Sequence, residues 1–408
     1  MNSLDPVYTH RVRGSARGSL AAAVAFACFS VPTLAANGVQ TGDEWVRRLD
    51  LLNPYASVGY AYDSNLFRVD DAVPTADGRS DQIATLSAGF DTEIDLGQQR
   101  YELGAMINHN FFNTYDYLDY TGGRATALLH WSTGDAATGS VGYQYKRTLR
   151  DFANQLAIQK TKDIRSEHKI SASGDIDLPG QWRLGLRADI ADVGYSNTKS
   201  LDVLRMTGGA GLNYVSRSGS LIGFDAEFIK GDFDNNPNSD FDEYNVGPTL
   251  QWHLTARTLI DAKLGYTSHN YTSPGKVDYD DVTGRVTLRM ADDGRGKMIA
   301  TLWRDISNLG DESADFAVVN GLKVEPSWKL PNGMDLRINA SYEKRDFQEE
   351  LAGLVRKDDV VTGGVFVDWG VTRNITLTFG VDAQQRSSTR ELQDFDFARV
   401  QLLVTGKI

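Results

Sequence analysis

Cysteine is almost missing from this chain of 408 residues: the one present is Cys28, inside the first 36 positions, which read as a leader. Everything after it is free of thiols, which excludes disulfides, cysteine-ligated zinc and a cysteine nucleophile there. Proline is scarce, 10 against 39 glycines, and no Pro- or Ser-rich run and no block of one charge marks a linker between domains. No window approaches the roughly 18 consecutive apolar residues that a spanning helix requires. The formal net charge is −12, and an acidic balance argues against nucleic acid, which is bound by displacing counterions with a basic surface. Catalytic signatures are missing as well: no Gly-x-Ser-x-Gly elbow precedes a helix and no His-Glu-x-x-His occurs. Beyond the leader the histidines are His109, His130, His168, His253 and His269, and none joins a visible group of acid, base and nucleophile. Neither catalysis nor a cofactor is expected.

What the chain does have begins with a secretory signal over residues 1–36. Arg11, Arg13 and Arg17 make a basic start, Leu20 to Val31 an apolar stretch too short to span, and Thr33-Leu34-Ala35-Ala36 a small-residue cleavage region. Residues 37–52 are too few for a domain and read as a short periplasmic segment. At Asn53 the pattern changes. Ala56, Val58, Tyr60 and Tyr62 alternate with Ser57, Gly59, Ala61 and Asp63, a period of two that marks a strand with one apolar face and one small or polar face. The design recurs in about 18 segments, down to one around Leu402. In another, Leu336, Ile338, Ala340 and Tyr342 alternate with Asp335, Arg337, Asn339, Ser341 and Glu343. A charge at every second place is expensive inside a two-layer sandwich and costs little in a wide, water-filled barrel.

The joins between segments alternate too. Every second one is tight, as at Gly97-Gln98-Gln99, Pro179-Gly180 and Pro331-Asn332-Gly333, with the residues that tight turns require. Those between are longer and more acidic, such as Val69 to Ser80, Asp151 to Lys160, Asn308 to Asp315 and Gln348 to Val355. Trp131, Trp182, Trp252, Trp328 and Trp369 sit beside tight turns on the apolar parity, where a periplasmic aromatic girdle belongs. Tyr62, Phe112, Tyr195, Phe233, Tyr244, Tyr271, Tyr279 and Phe347 lie at the opposite ends and are expected to form the outer girdle. The expected fold is therefore all-β: a transmembrane antiparallel up-and-down barrel of about 18 strands, with about 16 as the alternative, over residues 53–408 in a bacterial outer membrane. Its first strand should close against the last, around Phe397 to Thr405.

Inward parity collects the pore-lining candidates Arg124, Lys146, Arg183, Arg187, Arg205, Lys263, Arg285, Arg289, Lys323 and Arg337, with Asp225, Glu227, Glu325 and Glu343 among the carboxylates. Near-balance of the two signs implies cross-lumen ion pairing and leaves ion selectivity open. One acidic loop, Asp232, Asp234, Asn236, Asp240 and Glu243, places oxygens at the first, third, fifth, ninth and twelfth positions of an EF-hand spacing. The sixth position, where the sharp turn wants glycine, is Pro237, so the loop reads as a solvated external loop with at most weak calcium binding.

The run Tyr62-Asp63-Ser64-Asn65-Leu66-Phe67-Arg68, after Asn53-Pro54-Tyr55 and Val58-Gly59-Tyr60, resembles the EpsL-type family, outer-membrane barrels of exopolysaccharide gene clusters that also carry an exosortase. The likeness covers Asn53 to Arg68. It implies a passive outer-membrane conduit or accessory for exopolysaccharide export, with Tyr62, Asp63, Asn65, Leu66, Phe67 and Arg68 as the family residues. Its partners would be outer-membrane lipid and lipopolysaccharide, an exopolysaccharide or oligosaccharide, and periplasmic export proteins. A general or sugar-selective diffusion porin needs the same barrel and is the alternative. Asp63, Asn65 and Arg68 are expected at the external rim, where a departing polymer would pass. Otherwise Asp63 and Asn65 serve to fix the turn into the loop by side-chain to backbone hydrogen bonds.

Overall fold

The computed structural model describes residues 52–407 except 76, 135, 156–160, 275, 277, 292–293, 308–313 and 350–355. The secretory signal and nearly all of the short periplasmic segment lie outside the described residues, as do parts of the long joins. Eighteen strands follow one another: β1 (Pro54–Asp63), β2 (Asp81–Leu96), β3 (Gln99–Phe112), β4 (Tyr120–Thr133), β5 (Ala137–Leu149), β6 (Ile164–Leu178), β7 (Trp182–Tyr195), β8 (Val203–Val215), β9 (Leu221–Phe233), β10 (Phe241–Thr255), β11 (Thr258–Tyr271), β12 (Tyr279–Ala291), β13 (Gly296–Ser307), β14 (Ala314–Leu330), β15 (Met334–Glu349), β16 (Lys357–Gly370), β17 (Ile375–Ser388) and β18 (Phe395–Lys407). Each pairs antiparallel with the next, and β1 closes on β18 in a register running from Tyr55↔Lys407 to Asp63↔Arg399. The result is a closed up-and-down barrel.

Exposure follows the period of two and inverts the rule of water-soluble proteins. On β1, Val58, Tyr60 and Tyr62 stand outward and exposed, while Ser57 and Asp63 turn inward and are buried. Leu86, Ile107, Ile222, Phe224, Leu264 and Leu302 continue the exposed apolar belt around the wall. Such a belt is stable against lipid, and closure leaves most backbone polar groups of the strands paired within the wall.

Tight turns gather at one end. The β2–β3 join needs a left-handed residue and Gly97 supplies it at φ 66°; Asn332 and Gly333 do the same between β14 and β15, at 66° and 71°. Trp182, Trp252, Trp328 and Trp369 stand outward beside these turns, and Trp131 shares their face opposite Gly139. Longer joins gather at the other end, the extracellular side by the usual asymmetry of such barrels.

The outer girdle needs correction. Tyr62 and Tyr244 do face outward, but Phe112, Tyr195, Phe233 and Phe347 are buried. Tyr271 and Tyr279 also turn in, packing around Phe316 at ring distances of 6.3 and 5.3 Å. These six occupy the inner parity, and over Phe112 the join after β1 folds back with Leu66, Phe67, Val69 and Val73. The buried apolar residues consequently cluster in the long-loop mouth.

Candidate functional site

The mouth is built from two unlike sectors, and the first starts where β1 ends. Asn65 donates its backbone N–H to Asp63 Oδ1 at 3.0 Å. Its Nδ2 donates to the carbonyls of Val69 and Asp396, at 2.8 and 3.0 Å. Arg68 has the left-handed φ of 55°, which its contacts hold in place: two bonds of 2.7 Å to Asp63 and a stack 3.5 Å over the Phe397 ring. The turn so fixed drives Leu66 and Phe67 into a buried cluster with Phe112, Tyr115, Leu118 and Phe152. Phe67 meets Tyr115 and Phe152 edge-on, at 4.6 and 5.1 Å. Burial, with Asp77 close by, pushes the Tyr115 phenol above its ordinary value, and its hydroxyl donates to the Gly78 carbonyl at 2.6 Å.

Asp63 and Asn65 are therefore turn-fixing groups. Asp63, Asn65, Leu66 and Phe67 are all buried, so the run forms a cap instead of an exposed polar rim. An ionic knot continues the cap, with Arg356 on Asp358 at 2.6 Å and Arg386 within 4.0 Å of the same carboxylate. Sequence reasoning did not single out this knot. The inner parity of Asp358 and Arg386 was available, but Arg356 lies before its strand and no periodicity points to it.

The second sector is wet. A cavity of about 800 Å³ opens beside β6 to β13, and its lining includes Arg165, Glu167, Arg205, Glu227, Glu243, Lys263, His269, Arg285 and Asp305. At its edge, Arg187 Nη1 reaches Asp225 at 2.5 Å and Nη2 reaches Glu227 at 2.7 Å, while Lys263 meets Asp225 at 2.9 Å. Four sequence-separated candidates thus form one network, brought together by the register of β7, β9 and β11.

The other inward candidates mostly pair off. Arg183 binds Asp177 at 2.6 Å, Arg337 binds Asp368 at 2.7 Å and Lys323 binds Glu325 at 2.7 Å. Glu343 accepts from Arg345 at 2.6 Å, Arg285 lies 3.6 Å from Asp305, and Arg289 pairs with Asp261. Arg124 and Lys146 stand directly opposite each other on β4 and β5, with no ion-pair partner among the described residues.

The EF-hand spacing does not gather its ligands. Asp232 turns outward to Lys230 at 2.9 Å, while Asp240 accepts the Phe233 N–H at 2.6 Å and closes the loop. Asn236 donates to Ser239 Oγ at 2.8 Å, and Glu243 faces the cavity, 2.9 Å from His269 Nδ1. Strand periodicity is the reason, since it sends Asp232 and Glu243 to opposite faces. Among the described residues no group of three or more His, Cys, Asp or Glu is placed to hold a metal ion.

Comparison with known proteins bears on the same barrel. Residues 238–408 match the model of a family described as "Putative beta-barrel porin 2". No curated protein matches the chain. Among solved structures, OccK5 (OpdH) of Pseudomonas aeruginosa is similar with a TM-score of 0.49 at 13% identity, over 88% of this chain and 99% of that one. The outer membrane protein opdK of the same organism gives 0.46 at 11% identity, over 86% and 98%. With its closed wall and its lipid-facing belt, the chain is an 18-stranded antiparallel β-barrel of the outer membrane, similar over β10 to β18 to that porin family.

Proposed function

We propose that the barrel is a passive diffusion pore for small hydrophilic solutes, which enter through the wet sector of the mouth and need no cofactor. The division of the mouth carries this reading. A cavity of about 800 Å³ lined by both charge signs has the volume that holds a solute of sugar or drug size, and it lies beside a cap too well packed to yield. The porin match over residues 238–408 supports it. Arg124 and Lys146, opposed and without an ion-pair partner among the described residues, add a positive spot on the lumen wall that favours anions.

Reconstitution tests the reading. Purified protein in planar bilayers should conduct ohmically and should let liposomes swell in isosmotic monosaccharide. Lys146→Glu should lower the anion-to-cation permeability ratio, read as the reversal potential in a salt gradient. A barrel that inserts but neither conducts nor swells liposomes overturns the proposal.

A second reading, export of an exopolysaccharide in concert with periplasmic export proteins, is favoured by the Tyr62 to Arg68 run. Deletion that abolishes secreted polymer while sparing sugar uptake would establish export in place of diffusion. The opposite result would remove it.

A further inference from the structure

One stretch of the wall is not closed by its own ladder. Strands β12 and β13 share eight register pairs, from Gly284↔Arg304 to Ala291↔Lys297. Above them β12 goes on as far as Tyr279, paired only with β11, and β13 goes on to Ser307, paired only with β14. Residues 281–283 and 305–307 are described strand residues, yet they face each other unpaired.

The two edges satisfy their backbone from side chains instead. Val282 N–H donates to Asp281 Oδ1 at 2.7 Å and Ile306 N–H to Asp305 Oδ1 at 2.9 Å. The Val282 carbonyl accepts from Arg304 Nε at 3.1 Å. An unpaired edge in a membrane wall is costly unless capped; here the two N–H groups are capped from within their own strands, and the one cap that crosses the gap is the Arg304 side chain of β13. Parting them therefore breaks no ladder bond.

Arg304 bridges the gap. It stands on the outward parity opposite Gly284 and turns along the seam. Its guanidinium holds the Asp281 carboxylate, the Tyr279 hydroxyl at 3.2 Å and Asn320 Oδ1 at 3.0 Å. Outside the seam lies a groove of about 450 Å³ walled by Leu264, Val282, Val286, Leu302, Leu322 and Tyr342. Inside lies the wet cavity. Thr283, Gly284, Arg285 and Arg304 line both, so the lumen and the lipid-facing groove adjoin through this one gap.

We propose that the β12–β13 seam is a lateral port, latched by Arg304, that passes a single-chain anionic amphiphile between the lumen and the outer leaflet. The apolar groove takes the acyl chain. The anionic head replaces the Asp281 carboxylate on Arg304 and is received by Arg285 on the inner side. This goes beyond passive diffusion of small solutes along the barrel axis and does not depend on it.

The test uses the full chain in liposomes with Cys28→Ser, and N-dodecylmaleimide dissolved in the bilayer as probe. Thr283→Cys puts a thiol on the inner face at the seam, and Thr126→Cys puts one in the lumen far from it. Both must react with a water-soluble maleimide and keep a compact, heat-modifiable band. The bilayer probe should label Thr283→Cys about tenfold faster than Thr126→Cys, and adding Arg304→Ala should raise the rate about tenfold again, the scale of one lost charge-assisted contact. Arg304→Lys, which keeps the charge, serves if Arg304→Ala does not fold, and should give a smaller rise. Excess dodecyl phosphate should slow labelling, whereas dodecanol should not. Equal rates at the two thiols, or no response to the Arg304 substitution, overturn the port. Equal inhibition by both additives overturns the anionic head. Ion conductance is not read, so a failure here is distinct from a failure of the diffusion pore.

Discussion

Asp358 and Asp368 stand on the same strand and the same inner face, each held by an arginine, and the barrel treats them in opposite ways. Asp358 is at 0% exposure. Arg356 donates to it twice, at 3.0 and 2.6 Å, and Ser388 Oγ donates at 2.6 Å, while the same guanidinium stacks 4.0 Å over Phe347. Asp368, nearer the tight turns, accepts from Arg337 at 2.7 and 3.1 Å and from Thr378 Oγ1 at 2.7 Å. Its side chain is 25% exposed and that of Arg337 51%. Both carboxylates accept from an arginine and a hydroxyl, Arg356 reaching Asp358 from just before the strand and Arg337 reaching Asp368 from β15; what differs most is the covering. Described joins close on the first pair, Arg386 beside it donating to the Ala153 and Gln393 carbonyls, whereas the second pair is open to solvent. Removing one partner of a desolvated pair strands the other charge in a poor dielectric, whereas water screens the loss in a wet one. The mouth is thus held by a buried core, and the tight-turn half by its ladders.

The largest effect should follow from Asp358→Ala. It takes the shared carboxylate from Arg356 and Arg386 and should cost about 3–5 kcal/mol, measured as a lower urea midpoint for the folded, heat-modifiable band in detergent. A shift no larger than that of an exposed pair would mean that water reaches Asp358 as it reaches Asp368. Phe67→Ala attacks the same sector through its apolar half. Truncating a buried phenylalanine costs about 3 kcal/mol or more, but the loss falls on a loop cap outside the ladder. Protease should accordingly cut within residues 64–80 while the strand content by circular dichroism holds, and conductance should rise. Unchanged protease resistance would show that the cap does not depend on the Phe67 ring.

Much of the barrel was legible because its signals are local. A strict period of two, together with Gly97, Pro179, Gly180, Asn332 and Gly333 at the tight joins, marks strand, face and turn without tertiary knowledge. Charge partners were legible only by face. Arg187, Asp225, Glu227 and Lys263 share the inner parity, but their meeting depends on the register of non-adjacent strands. The outer girdle was misread because Phe112, Tyr195, Phe233 and Phe347 were placed by strand end, although their parity points inward. The long joins make inward aromatics stable there, and those joins carry no periodicity. The seam has one sequence signal, Arg304 itself, a charge on the outward parity of β13 between Leu302 and Ile306; nothing in the alternation of β12 or β13 marks where their ladder stops.

The smallest effect is the one that most sharpens the contrast. Arg337→Ala removes the guanidinium from Asp368 but leaves that carboxylate with Thr378 and access to water. The expected loss is below about 1 kcal/mol, as for other exposed pairs, in the same urea titration used for Asp358→Ala. Conductance should keep its size and shift slightly toward cations, because an unmasked carboxylate then faces the lumen. A loss matching that of Asp358→Ala would mean that water does not reach Asp368. The lumen at the tight-turn end would then be dry, and a barrel without that water column could not serve as a diffusion pore.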